Sequence, residues 1–92
     1  MGALDPHLQG AEEAFRFGER AERLQQEVRK SQRSAAESFE KCAASHEKTA
    51  DSYVKLAEFG EGDEYLRHAA RHRAFAQEDR EIAERLRQMG KD

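Results

Sequence analysis

The sequence contains one cysteine, one proline and no tryptophan among its 92 residues. Because Cys42 is alone, no disulfide can form within the chain, and the expected location of the protein is the cytoplasm. The chain has no apolar run of about 18 residues and no basic segment followed by an apolar one at its N-terminus. We therefore expect neither a membrane span nor a secretory signal.

Large apolar side chains are also scarce, since Leu, Ile, Val and Phe together number 14. Neither sign of charge dominates, because 16 basic side chains stand against 19 acidic ones, and this balance argues against a protein that wraps nucleic acid. Ala, Glu, Lys, Leu and Arg make up 51 residues, a composition typical of long helices and coiled coils. So thin and alanine-rich a core is expected to gain burial by oligomerising.

The few prolines and glycines mark the expected ends of the helices. Asp5 followed by Pro6 is a favourable N-cap and first turn. Gly60 can end a helix in the left-handed conformation, Gly62 precedes the next helix, and Gly90 can close it. The predicted segments are a long helix over 6–58, a turn at 59–62 and a second helix over 63–89, in a single domain of residues 1–92.

One apolar stripe with a 3.6-residue period runs along the first of these segments and favours a single continuous helix. The stripe consists of Ala14, Phe17, Ala21, Leu24, Val28, Gln32, Ala35, Phe39, Ala43, His46, Ala50, Tyr53 and Ala57. Against continuity, residues 29–34 are all polar, and Ser34 with Glu37 forms a capping box. A break there would give a monomeric three-helix bundle, whereas a continuous helix would overhang the hairpin and need a partner.

The last segment repeats the same plan with small and large residues seven apart. Its small positions are Ala69, Ala76 and Ala83, and its larger ones are Tyr65, His72, Asp79 and Leu86. Alternating small and large residues let two helices pack closely. Counting outward from the turn places Tyr53 level with about Ala69, and His46 within about one helical turn of His72. We predict an all-α fold, an antiparallel helical hairpin with a long N-terminal helix that assembles as a dimeric helical bundle.

A histidine cluster in this seam is the sharpest chemical signal. Glu64, His68 and His72 lie four residues apart in turn, and two histidines at that spacing can chelate a transition metal such as zinc. His46 and Asp79 would complete a set of candidate ligands. The Glu-x-x-His spacing of ferritin-like metal proteins is absent, so the preferred interpretation is that His46 and His72 are seam residues hydrogen-bonded across the hairpin. No metal or other cofactor is favoured.

Other candidate sites lack supporting context. The basic run at residues 67–73 is flanked by acidic residues, so nucleic-acid binding is not expected. Cys42 is interpreted as a small buried thiol, although His46 lies one turn away as a possible activating base. The sequence holds no Gly-rich phosphate loop, no CxxC pair and no H-E-x-x-H. Neither an enzymatic activity nor a small-molecule substrate is indicated.

Over residues 34–88 the repeat of alanine, a larger seam residue and outward charge resembles small uncharacterised all-helical proteins of actinobacterial type. The resemblance implies an all-helical cytoplasmic protein and carries no activity.

The sequence itself favours a non-catalytic module for self-assembly or protein–protein interaction. The expected partner is a second copy of the chain, in a homodimer, or another protein. Its predicted interface residues are Phe15, Phe17, Leu24 and Val28. The alternative function is a metal-binding helical bundle that uses the histidine and carboxylate cluster.

Overall fold

The protein is an antiparallel hairpin of two helices of unequal length. A computed structural model describes residues 6–60 and 62–91, and Asp5, the predicted N-cap, lies outside them. Helix α1 spans Pro6–Ala57 and helix α2 spans Gly62–Met89, and the described residues contain no strand. The prediction of an all-α helical hairpin is confirmed. The chain forms a rod of 88 × 18 × 16 Å.

Helix α1 continues without a break through the polar residues 29–34. Neither glycine nor proline occurs in that stretch, so no residue there removes a backbone hydrogen bond or forces the helix to end. Ser34 stays inside the helix, and its carbonyl accepts a hydrogen bond from the Ser38 hydroxyl at 3.3 Å. The third helix of the three-helix alternative is therefore absent from the described residues.

The turn between the helices depends on one glycine conformation. The Glu58 amide donates to the Lys55 carbonyl at 3.2 Å, and the Phe59 amide donates to the Leu56 carbonyl at 3.0 Å, so the last turn of α1 tightens. Gly60 then adopts a φ of 134°, in a region that side chains with a Cβ rarely occupy. The chain reverses there and enters α2.

The core of the hairpin is a single row of alanines from each helix. The buried residues on the two helices are Ala36, Ala43, Ala50, Ala69, Ala76 and Ala83, each at most 1% exposed. Among the described residues no large side chain is fully buried. Methyl groups at the contact let the two backbones approach closely, and the larger side chains lie along the edges of the seam.

Helix α2 ends beside the middle of α1 and leaves the first part of α1 alone. The Gly90 carbonyl accepts a hydrogen bond from the Arg33 guanidinium, and Gly90 is buried against the Arg29 carbonyl. Every residue from 7 to 28 is exposed. Within the described residues, neither helix carries an apolar stretch of the length needed to cross a bilayer.

Candidate functional site

Large apolar side chains on the unpaired part of α1 face solvent. Phe15 and Phe17 are 69% and 73% exposed, and Leu24 and Val28 are 61% and 55% exposed. These are the four residues predicted to form an interface. The structure shows that α2 covers none of them, because α2 ends at Met89 and the following Gly90 lies beside Arg29 and Arg33.

The exposed part of α1 repeats the spacing of the part that packs on α2. In the paired part, each buried alanine is followed three residues later by a larger residue at the edge of the seam, as Ala43 is followed by His46. Two more such units occur upstream, where Phe17 follows Ala14 and Leu24 follows Ala21. We call this pattern the small–large repeat.

These upstream units also lie on the same side of α1 as the seam. At about 100° per residue, Ala14 and Ala21 lie within about 40° of Ala43 around the helix axis. We define the free face as Ala14, Phe17, Ala21, Leu24 and Val28. The free face is therefore the continuation of the hairpin seam beyond the end of α2. Phe15 points to a different side of the helix.

Within the seam, two histidines form a hydrogen bond between the helices. The Nδ1 atoms of His46 and His72 are 2.9 Å apart, so one ring donates and the other accepts. The Nε2 atom of His46 lies 3.8 Å from the Asp79 carboxylate, beyond hydrogen-bond distance. The cross-hairpin bond between the two histidines is the arrangement that the seam interpretation predicts.

Aromatic rings extend this polar pair toward the turn. Tyr53 stacks on three rings of α2: Tyr65 at a centroid distance of 6.0 Å, His68 at 5.0 Å and His72 at 5.7 Å. Phe75 meets the His72 ring edge-on at 6.0 Å. Rings that pack at these distances stabilise one another and hold the two helices in one alignment.

The candidate metal ligands do not converge on one point. His46, His72 and Asp79 come together, but the two nitrogens of His46 face different partners. Glu64 and His68 form a separate pair at the edge of the seam, with His68 Nε2 4.0 Å from Glu64 Oε1. Across the described part of the chain, no three His, Cys, Asp or Glu side chains are placed to hold one metal ion.

Ion pairs between the helices are contacts that sequence reasoning missed. Arg80 donates a hydrogen bond to Glu47, which lowers the pKa of that carboxyl and raises the pKa of the guanidinium. Arg87 pairs with Glu40 at 3.0 Å. Each of these four residues directly follows a larger seam residue, as Glu47 follows His46 and Arg80 follows Asp79. This flanking position is acidic on α1 and basic on α2, and that opposition of charge was the sequence signal for ion pairs between the helices.

The interpretation of Cys42 as a buried thiol is wrong, because the structure leaves this residue exposed. Cys42 precedes Ala43, and in a seam only one methyl group wide the neighbouring position already points to solvent.

No protein family, no curated protein and no solved structure matches this chain. Its function is therefore argued from the geometry of the free face.

Proposed function

We propose that this protein is a non-catalytic self-assembly module whose free face binds a second copy of the chain. The observation that carries the proposal is the small–large repeat, which packs on α2 in one half of α1 and is exposed in the other half. This surface has the sequence pattern of a helix–helix contact, and no second helix covers it among residues 6–60 and 62–91, so it fits an interface between chains.

The energetics support burial of this surface in an assembly. Removing a Phe or Leu side chain from water contributes about 1.5–3 kcal/mol. Phe17 and Leu24 occur once in each copy, so a symmetric dimer would bury four such side chains. An isolated helix of about 20 residues is marginally stable in water, and Gly10 and Gly18 weaken this one further. A second helix along the free face would stabilise the helical conformation as well as cover it.

A second copy fits this face because the small–large repeat is complementary to itself. In the hairpin, α1 and α2 both carry the repeat and pack together through it. Two free faces carry the same pattern and would pack in the same way. Leu56, Phe59 and Leu66, near the turn, are also exposed. They lie outside the repeat and do not enter the proposal.

The experiment introduces one charge into the free face. We expect Phe17→Asp and Leu24→Asp each to weaken the dimer by at least tenfold, because a carboxylate would be buried without a partner. Light scattering on tag-free protein over a concentration series measures the assembly. Circular dichroism and thermal unfolding report whether the hairpin remains folded, as we expect, since both residues lie away from α2.

Phe59→Asp is the matched control, because Phe59 is 87% exposed at the turn and lies outside the repeat. It should leave the native mass unchanged. A parent protein that is monomeric at all concentrations would refute self-assembly. A parent dimer whose dissociation constant is the same in both free-face variants would show that the free face is not the interface.

A further inference from the structure

The hairpin shows how two small–large repeats align when the helices are antiparallel. His46 contacts both His72 and Asp79, so it lies level with Ala76, midway between them. Tyr53 contacts both Tyr65 and His72, so it lies level with Ala69. In both cases a large residue of one helix faces an alanine of the other. The alignment rule of this seam is that small residues face large ones.

Applied to two free faces, the rule selects one antiparallel alignment. We propose that two copies pair with Phe17 level with Ala21 of the second copy, an inference that rests on the proposed function. By symmetry Ala21 then faces Phe17 of the second copy. The same alignment places Leu24 level with Ala14 and Val28 level with Gly10. Every large residue of the free face is opposite a small one.

Charge complementarity supports this alignment independently of the apolar residues. In the hairpin, Glu47 pairs with Arg80, which lies about five residues further along α2 than the residue directly opposite Glu47. On the other edge of a two-helix seam, charged partners are displaced by the same number of residues in the opposite direction. In the proposed alignment, that displacement brings Glu13 of one copy to Arg20 of the other. The two-fold symmetry produces this pair twice, with opposite charges facing each other each time.

The end of α2 is consistent with the same alignment. The first turn of the second copy's α1 would meet the end of α2 beside Gln32, so the two helices would follow one line along the partner helix. The C-terminus of α2 would face a helix N-terminus, a favourable order for the helix dipoles. The Oε1 atom of Gln32 is buried and, in the structure as described, accepts no hydrogen bond. It lies level with that first turn in this alignment.

The test is a charge reversal and its rescue, measured by sedimentation or light scattering of the full chain. Glu13→Arg alone and Arg20→Glu alone each turn two attractive pairs into repulsive ones, and each should weaken the dimer about tenfold. The double variant Glu13→Arg/Arg20→Glu restores opposite charges and should dimerise within about threefold of the parent. The control is Glu12→Arg/Arg23→Glu. It carries the same change in charge on the side of α1 that points away from the free face, and should have no effect.

Disulfide formation distinguishes the directions of pairing. In a Cys42→Ser background, Ala14→Cys and Leu24→Cys chains are mixed and oxidised, and we expect the mixed disulfide. A disulfide between two Ala14→Cys chains would indicate parallel pairing and overturn the alignment. A dimer whose affinity does not respond to either single charge reversal would also overturn it. In both cases self-assembly itself would stand, whereas a monomeric parent would refute both proposals.

Discussion

The two halves of α1 carry the same repeat in opposite environments. In the paired half, Ala36, Ala43 and Ala50 are at most 1% exposed against α2. In the other half, Phe17 and Leu24 are 73% and 61% exposed. The pattern of small and large residues therefore specifies a helix–helix contact, but the length of α2 decides where that contact is made within the chain. Helix α2 has 28 residues and α1 has 52, so part of the pattern stays uncovered.

The largest effect should come from enlarging a residue of the paired half. Ala43 is fully buried where the two backbones approach closely, and Ala43→Leu would add three carbons with no space for them. We expect the free energy of unfolding to fall by about 3 kcal/mol, measured by urea denaturation. The neighbouring Ala44 is exposed, so Ala44→Leu should change it by less than about 0.5 kcal/mol. Equal losses in the two variants would mean that the seam is not packed as described.

The histidine pair should show a smaller effect that depends on both members. His46→Phe or His72→Phe leaves the other ring with an unpaired nitrogen in a half-buried site, which should cost about 1–2 kcal/mol. Changing both removes the unpaired group and leaves rings of similar shape. The double variant should therefore be more stable than the sum of the single losses predicts, in a double-mutant cycle of unfolding free energies. Additive losses would contradict the hydrogen bond across the hairpin.

Gly90, which packs on the paired half of α1, and Gly18, which lies in the unpaired half, allow a direct comparison of the two halves. At Gly90, a Cβ would lie 2.9 Å from the Arg33 side chain and 3.0 Å from the Arg29 carbonyl oxygen. Gly90→Ala should therefore destabilise the hairpin by about 1 kcal/mol, since that carbonyl belongs to the helix backbone. At Gly18 nothing lies within 4 Å, so Gly18→Ala should instead stabilise the helix, by up to about 1 kcal/mol. Thermal unfolding followed by circular dichroism measures both variants. Melting temperatures that shift in the same direction would contradict the expected difference between the paired and unpaired halves.

The sequence was sufficient to predict the hairpin, its alanine seam and its alignment. Turn glycines and a seven-residue repeat are local signals, so counting outward from the turn placed His46 near His72. Edge contacts were harder to predict. The pairing of Glu47 with Arg80 depends on two distant segments being set in one alignment, which no spacing within either helix alone indicates. Cys42 was misplaced because the seam is narrower than an ordinary core.

Continuity of α1 was predictable only as one of two alternatives. The polar residues 29–34 and the Ser34–Glu37 capping box favoured a break, and the unbroken apolar stripe opposed it. Helix α1 continues through this stretch because, without glycine or proline, each residue can still form its helical backbone hydrogen bond. The oligomeric state depends on a second chain, and the native mass in solution measures it directly.

The smallest effect concerns the ion pairs along the paired half. The hydrogen bond from Arg80 holds the pKa of Glu47 below its ordinary value of 4.5, so the native state favours the carboxylate. This pair therefore stabilises the hairpin above about pH 4.5, and its contribution is lost as the pH falls below that value toward the lower pKa of the folded state. Glu47→Gln has no carboxyl to protonate, so the loss of stability in acid that is due to this group should disappear. Unfolding midpoints at pH 7 and pH 3 should then differ slightly less than in the parent. Glu37→Gln, on the exposed side of α1, is the control, and an equal change there would show that the pair with Arg80 contributes nothing.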